Sequence, residues 1–136
     1  MSNKSNGTAF EREFAELLAQ HGFWSHLLKD NHNGQPFDVI AVRNGQAYAF
    51  DCKDCQNSIF PLGRIEENQQ LAMQLWQECG NQEGMFVLRL PSGIRMLPYG
   101  TAMKLIEIGF RRLSSHRLQE HTVTFEEWLE NESNDQ

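Results

Sequence analysis

The chain has 136 residues, 40% of them hydrophobic, and a net charge of −6, which suits one domain built around one core. No apolar run approaches the roughly 20 residues that span a bilayer, and the opening MSNKSNGTAFERE has neither a signal-peptide core nor an Arg-rich transit pattern, so no membrane association and a cytoplasmic home are expected. The acid is unevenly spread: residues 119–136 hold six acids and no Lys or Arg, leaving 12 acids against 12 bases in residues 1–118, so a basic face for nucleic acid is not excluded.

Thr8 to His21 is predicted helical, with Thr8 as cap, Phe10, Phe14, Leu17, Leu18 and His21 along one face, and Gly22 as the stop. FWSHLL (23–28) reads as a strand and KDNHNGQ (29–35) as a polar loop. The stretch PFDVIAVRNGQAYAFDCKDC (36–55) reads as two apolar strands around a two-residue Asn44-Gly45 turn of the primed type. After FPLG (60–63) a helix is predicted from about Ile65 to Cys79, stopping at Gly80. GMFVLRL, PSG and IRMLP read as strand, turn and strand, and TAMKLIEIGF as a third helix. TFEEWLENE reads as a last helix capped by Thr124, with Glu127 in the capping-box position. Without a repeat or linker, the order predicts one α/β domain over residues 1–136, frayed over about 1–6 and 132–136.

The hairpin carries charges inside an apolar pattern. With Asn44 and Gly45 as the turn, Arg43 faces Gln46 and Asp38 falls opposite Asp51; Lys53, two residues beyond Asp51, shares their face. Ile40, Val42, Ala47 and Ala49 complete that face, and Phe37, Val39, Ala41, Tyr48, Phe50 and Cys52 form the other. Both faces are apolar, so the hairpin should be central in its sheet. Two facing carboxylates, with Cβ atoms about 4.5–5.5 Å apart, persist only with a compensating cation or a shared proton. A divalent metal with carboxylate and water ligands satisfies them and supplies a water nucleophile, while the adjacent ammonium balances phosphate charge. A capped sheet end with a plain Lys53 salt bridge is the competing reading.

The pair CKDC (52–55) has CxxC spacing, but no second pair follows and strand alternation turns Cys52 away from Asp51 and Lys53, so the three cysteines read as reduced thiols. The five histidines are scattered, with no i, i+4 metal pair. On the second helix Gln69 interrupts an apolar stripe of Ile65, Ala72, Trp76 and Cys79 and needs a partner inside. On the first helix the periodicity does not choose between Glu11 and Glu13, and Glu11 also suits a capping box with Thr8.

Residues Gly7 to Gln74 resemble the PD-(D/E)XK nuclease superfamily, and within it the Holliday-junction resolvases of the archaeal and RecU types. GTAFERE is similar to their first-helix motif, PFDVIAV to the block that carries the family Asp, FDCK to the acid-x-Lys pair, and FPLGRIEENQQLAM to a Phe-Pro-Leu block leading to a helix-borne Gln. The resemblance implies a restriction-endonuclease-like fold: a central mixed β-sheet with a catalytic hairpin, flanked by helices. It selects Glu11 over Glu13 and implies Glu11, Asp38, Asp51, Lys53 and Gln69 as catalytic residues. The implied metal set is Asp38, Asp51, the backbone carbonyl of Cys52, and Glu11, holding Mg2+, with Mn2+ as a substitute. Two departures stand out. Asp51 replaces the more common Glu before the Lys, and the short 29–35 segment leaves little room for the projecting stalk of RecU-type enzymes.

The expected protein is a homodimeric, Mg2+-dependent endonuclease that resolves four-way DNA junctions by paired symmetric nicks, in keeping with a phage or prophage recombination system. Lys29, Arg64, Arg111 and Arg112 are the expected DNA contacts, the last two at the end of the third helix. A same-fold nuclease for flaps, ends or duplex, and a non-catalytic DNA-binding module, are the alternatives; cleavage of a four-way junction beside linear and flap DNA separates them.

Overall fold

The structure, a computed structural model, describes residues 3–28 and 36–134. Helix α1 (Asn3–Gln20) buries Phe10, Phe14 and Leu18, spaced four apart, and ends before Gly22, whose φ of 85° favours glycine. It begins upstream of the predicted start, so Thr8 lies inside the helix and is not its cap. The lone glycine of this turn, Gly7, costs about 1 kcal/mol relative to Ala, too little to stop a helix anchored by three buried side chains.

Strands β1 (Trp24–Leu27), β2 (Val39–Arg43) and β3 (Gln46–Asp54) follow, then β4 (Phe60–Pro61), a 3-10 turn (Leu62–Arg64) and α2 (Glu67–Glu78). The second half runs β5 (Met85–Leu90), β6 (Gly93–Pro98), α3 (Tyr99–Ile108), β7 (Arg112–Leu113), α4 (Ser115–His121), β8 (Val123–Thr124) and α5 (Phe125–Asn134). Six strands form one mixed sheet in the order β1-β2-β3-β5-β6-β8, in which only the β3–β5 pairing is parallel. The hairpin register is the predicted one, from Arg43↔Gln46 to Val39↔Phe50, closed by Asn44 at φ 53° and Gly45 at φ 77°.

β3 lies between β2 and β5 and is buried on both faces. On one face α1 and α5 cover Val39, Ala41, Tyr48, Phe50 and Cys52. There Trp128 stacks on Phe23 and meets Tyr48 and Phe50 edge-on. On the other face α2, α3 and α4 cover Ala49, Phe86, Leu88 and Leu97. Phe37, predicted on the face of Val39, Ala41 and Phe50, lies on this second face against Trp76. The ladder ends at Val39, so strand alternation no longer governs residues 36–38.

Two further differences concern helices. α2 starts at Glu67 rather than Ile65; Met73 is its fully buried residue, and Cys79, predicted on the stripe, is an exposed C-cap. α3 ends at Ile108, and Gly109 turns the chain with φ 111°. Arg112 is thus not at a helix end: it begins β7, which pairs with β4 as a separate two-stranded ribbon. The predicted capping box of α5 is present, Thr124 and Glu127 each donating a backbone N–H to the other's side chain at 3.0 and 3.1 Å.

Candidate active site

The hairpin charges meet where β2 begins and β3 and β5 end. Asp51 and Lys53 face the α2 side of the sheet, opposite Phe86 and Leu88 of β5. Asp38 stands one residue outside the β2–β3 ladder: its N–H donates to the Phe50 carbonyl, and its Oδ2 accepts the Cys52 N–H at 2.6 Å. That bond fixes the carboxylate beside Asp51, so the two acids adjoin as expected, although Asp38 is not a ladder partner. All three charged residues are buried: Asp38 is 8% exposed, Asp51 3% and Lys53 8%.

Lys53 Nζ lies 3.3 Å from Asp51 Oδ2 and donates to Gln69 Oε1 at 3.0 Å. The same Gln69 oxygen accepts the Glu66 N–H at 2.9 Å, within a reciprocal capping box at the start of α2. Gln69 therefore ties the Lys53 ammonium to a helix terminus. The capping role was legible as Glu66-x-x-Gln69 in the sequence, but Glu is an uncommon N-cap.

Asp51 Oδ2 is buried and has Lys53 Nζ beside it at 3.3 Å, an ion pair without hydrogen-bond geometry. Burial, with the Asp38 carboxyl adding and the Lys53 charge opposing, raises the Asp51 carboxyl well above its ordinary range. Burial and the charges of Asp38, Asp51 and Glu11 likewise raise the Cys52 thiol, which places Glu11 within electrostatic reach of the site. Glu11 is half-buried. Glu13 is turned away: it pairs with Arg89, whose guanidinium also grips Asp54 at 3.1 and 3.0 Å and lies over the Phe10 ring. This Arg89 clamp between β3, β5 and α1 was not foreseen. Asp54 and Arg89 are opposite each other only through the parallel β3–β5 pairing, which no local pattern encodes.

The donor set fits a divalent cation, because Asp38 and Asp51 adjoin as buried carboxylates and burial together with the Asp38 carboxyl raises Asp51 in spite of the Lys53 charge beside it. Among the described residues no three His, Cys, Asp or Glu side chains converge as a complete metal cage. Mg2+ does not require one, since it is commonly held by one or two carboxylates and keeps several waters. The CxxC pair is no zinc site: Cys52 belongs to the α1 side of the core and Cys55 to the α2 side, and both are free thiols.

Of the expected DNA contacts, three come together. The Leu62 N–H donates to the Arg111 carbonyl and Arg112 pairs with Pro61, so the β4–β7 ribbon brings Arg111 and Arg112 beside Arg64 on the 3-10 turn. Arg111 and Arg112 are exposed, and Arg64 donates to the Asp54 carbonyl at 3.1 Å. Lys29 lies outside the described residues.

A mixed sheet whose buried hairpin presents Asp and Asp-x-Lys between flanking helices is the architecture of the restriction-endonuclease-like nucleases. Hjc from the archaeal hyperthermophile Archaeoglobus fulgidus, a Holliday junction resolvase, has a similar structure: TM-score 0.69, 17% identity, over 90% of this chain and 99% of that one. That likeness shows the fold. No curated protein matches the sequence significantly. The model of the archaeal Holliday junction resolvase family, Hjc, matches residues 2–132, and the chain belongs to that family of junction-resolving DNA nucleases.

Proposed function

We propose that this protein is a homodimeric, Mg2+-dependent endonuclease that resolves four-way DNA junctions by paired symmetric nicks. The observation that carries the reading is the buried Asp38–Asp51 pair with the Lys53 ammonium 3.3 Å from Asp51. Asp38, Asp51 and the Cys52 carbonyl would hold the cation, with Glu11 reaching it through one of the waters the cation keeps; Mg2+, or Mn2+ in its place, would supply neutralising charge and an acidified water.

The residues of the chain do the rest. The Cys52 N–H keeps the Asp38 carboxylate pointed at the site. Lys53, ion-paired with Asp51 and hydrogen-bonded to Gln69, is fixed where it can meet the charge that builds on phosphate oxygens as the P–O bond to the leaving strand breaks. Gln69 holds that ammonium in place through its Oε1. Arg64, Arg111 and Arg112 would grip the backbone, with Lys29 added from its loop.

Dimerisation is favoured by exposed apolar side chains on the α2 side. Trp24 is 63% exposed and lies opposite Val42 at the sheet edge, while Leu71 and Leu75, 58% and 62% exposed, lie on α2 over the same face. A twofold dimer presents two sites, as paired nicks require. The test compares cleavage of a four-way junction with a flap and a linear duplex of the same arm sequences. Selective, Mg2+-dependent nicking of the junction is expected. Equal cutting of flap or duplex would overturn the resolvase reading, and cutting of none would leave a binding module.

A further inference from the structure

The face of the sheet that carries Asp51 and Lys53 has a second polar recess. Lys53 is paired laterally with Leu88, and Leu88 with Arg95 of β6, so all three side chains project to the same side. Two strand spacings separate the Lys53 and Arg95 backbones by about 10 Å. Arg95 lines a cavity of about 70 Å³ together with Ser58, Ser92, Ser115 and Gln119 over Leu90.

Its guanidinium is pre-oriented. Nε donates to Thr122 Oγ1 at 2.9 Å and Nη2 to the Thr122 carbonyl at 3.2 Å. Thr122 is buried, and its hydroxyl in turn donates to the Leu118 carbonyl. Nη1 has no hydrogen-bond acceptor among the described residues. No carboxylate lines the cavity; the acid that feels the Arg95 charge is Glu127, which is committed to the α5 cap. One fixed guanidinium among hydroxyl and amide groups, without a neighbouring carboxylate in the lining, suits an oxyanion. The recess also adjoins the basic ribbon: Ser58 lies two residues before β4 and Ser115 two after β7.

We propose that the Arg95 recess is a subsite for a backbone phosphate of the bound DNA strand, about one to two nucleotides from the phosphate cut beside Lys53. The spacing follows from the separation of about 10 Å and the roughly 6–7 Å between successive phosphates of one strand, which wind around the axis and so lie farther apart than the axial rise of about 3.4 Å. The proposal rests on the nuclease reading above and extends it to a position along the strand.

Four-way junctions carrying a single neutral methylphosphonate, stepped through the positions flanking the mapped cut, are titrated with wild type and Arg95→Gln, with Ca2+ in place of Mg2+. One position, about one to two nucleotides from the cut, should weaken wild-type binding several-fold and leave the Arg95→Gln affinity unchanged. The slope of log K against log salt should fall in the variant by about 0.9, equivalent to about 3.5-fold between about 50 and 200 mM salt. Should Arg95→Gln lose its fold by circular dichroism, Ser58→Ala with Ser92→Ala, which spares the Thr122 contacts, takes its place and should show the same position-specific coupling. Losses that add independently at every position, or an unchanged slope, overturn the subsite. So does inorganic phosphate that raises the wild-type melting temperature through Arg95 without competing with DNA, which would make the recess a free-anion site. Wild-type protein that binds no form of DNA would overturn the nuclease reading and the subsite together.

Discussion

Replacing Asp51 with Asn should abolish cleavage and yet stabilise the metal-free protein. Asp51 is 3% exposed and adjoins Asp38, and burial with that neighbour raises its carboxyl although Lys53 lies 3.3 Å away, so an ionised Asp51 is costly in the metal-free site. The folded state holds the Asp51 proton more tightly than the unfolded chain does. The stability this brings is fully present below the ordinary Asp value of about 3.9 and is lost as pH rises toward the raised folded value, by about 1.4 kcal/mol per pH unit across that window. Asn keeps the shape and an acceptor for Lys53 and removes the excess charge, relieving about 1–3 kcal/mol, the cost of a buried polar group left unsatisfied. In a chain of this size each kcal/mol is worth about 3–5 °C in Tm. Thermal unfolding in EDTA across a pH series should show Asp51→Asn melting above wild type at neutral pH, with the gap closing in acid. Mg2+ at ten times Kd should stabilise wild type by about 1.4 kcal/mol and leave the variant nearly unmoved. A variant that melts below wild type in EDTA, or that gains as much from Mg2+, would refute the cost assigned to an ionised Asp51.

Glu11→Gln should impair junction cleavage while Glu13→Gln leaves it intact and only loosens the Arg89 contact, as read from turnover and melting curves; the reverse outcome would mean the wrong acid of α1 faces the site. Gln69→Leu should lower turnover about 10- to 100-fold with little change in junction affinity, by freeing the Lys53 ammonium and removing the α2 cap, which costs about 1 kcal/mol; unchanged turnover would make Gln69 a cap alone. Trp128→Ala should cost about 3–5 kcal/mol in denaturant unfolding, because its ring packs against Phe23, Tyr48 and Phe50. Changing Arg111 and Arg112 together to Glu should weaken junction binding and lower its salt slope by about 0.9 per lost contact while sparing the fold; unaltered binding would remove the β4–β7 ribbon from the interface.

The hairpin was legible because an Asn-Gly turn sets the register, and the register sets which residues share a face. Asp51 and Lys53 thus emerge from pattern alone. Asp38 was right in place but not in its bonding, since a ladder that ends at Val39 lets its side chain reach the Cys52 amide. Periodicity could not choose between Glu11 and Glu13; the Arg89 clamp on Glu13 and the charge of Glu11 near Cys52 set the two apart in space. The β4–β7 ribbon is two residues long on each side, too short for any period, so Arg112 read as a helix end. The Arg95 recess depends on segments from β5, β6, α4 and the loop before β4, whose meeting no local pattern encodes.

The central claim is tested most directly on a supercoiled plasmid that extrudes a cruciform. A first nick releases the supercoiling that holds the cruciform, so linear product arises only when one bound dimer makes both cuts before relaxation removes the junction. Wild type with Mg2+ should yield linear plasmid cut at symmetry-related positions, and Asp51→Asn should yield none. Open-circular product alone, or linear product at random positions, would contradict a twofold enzyme with paired sites at Asp38, Asp51 and Lys53.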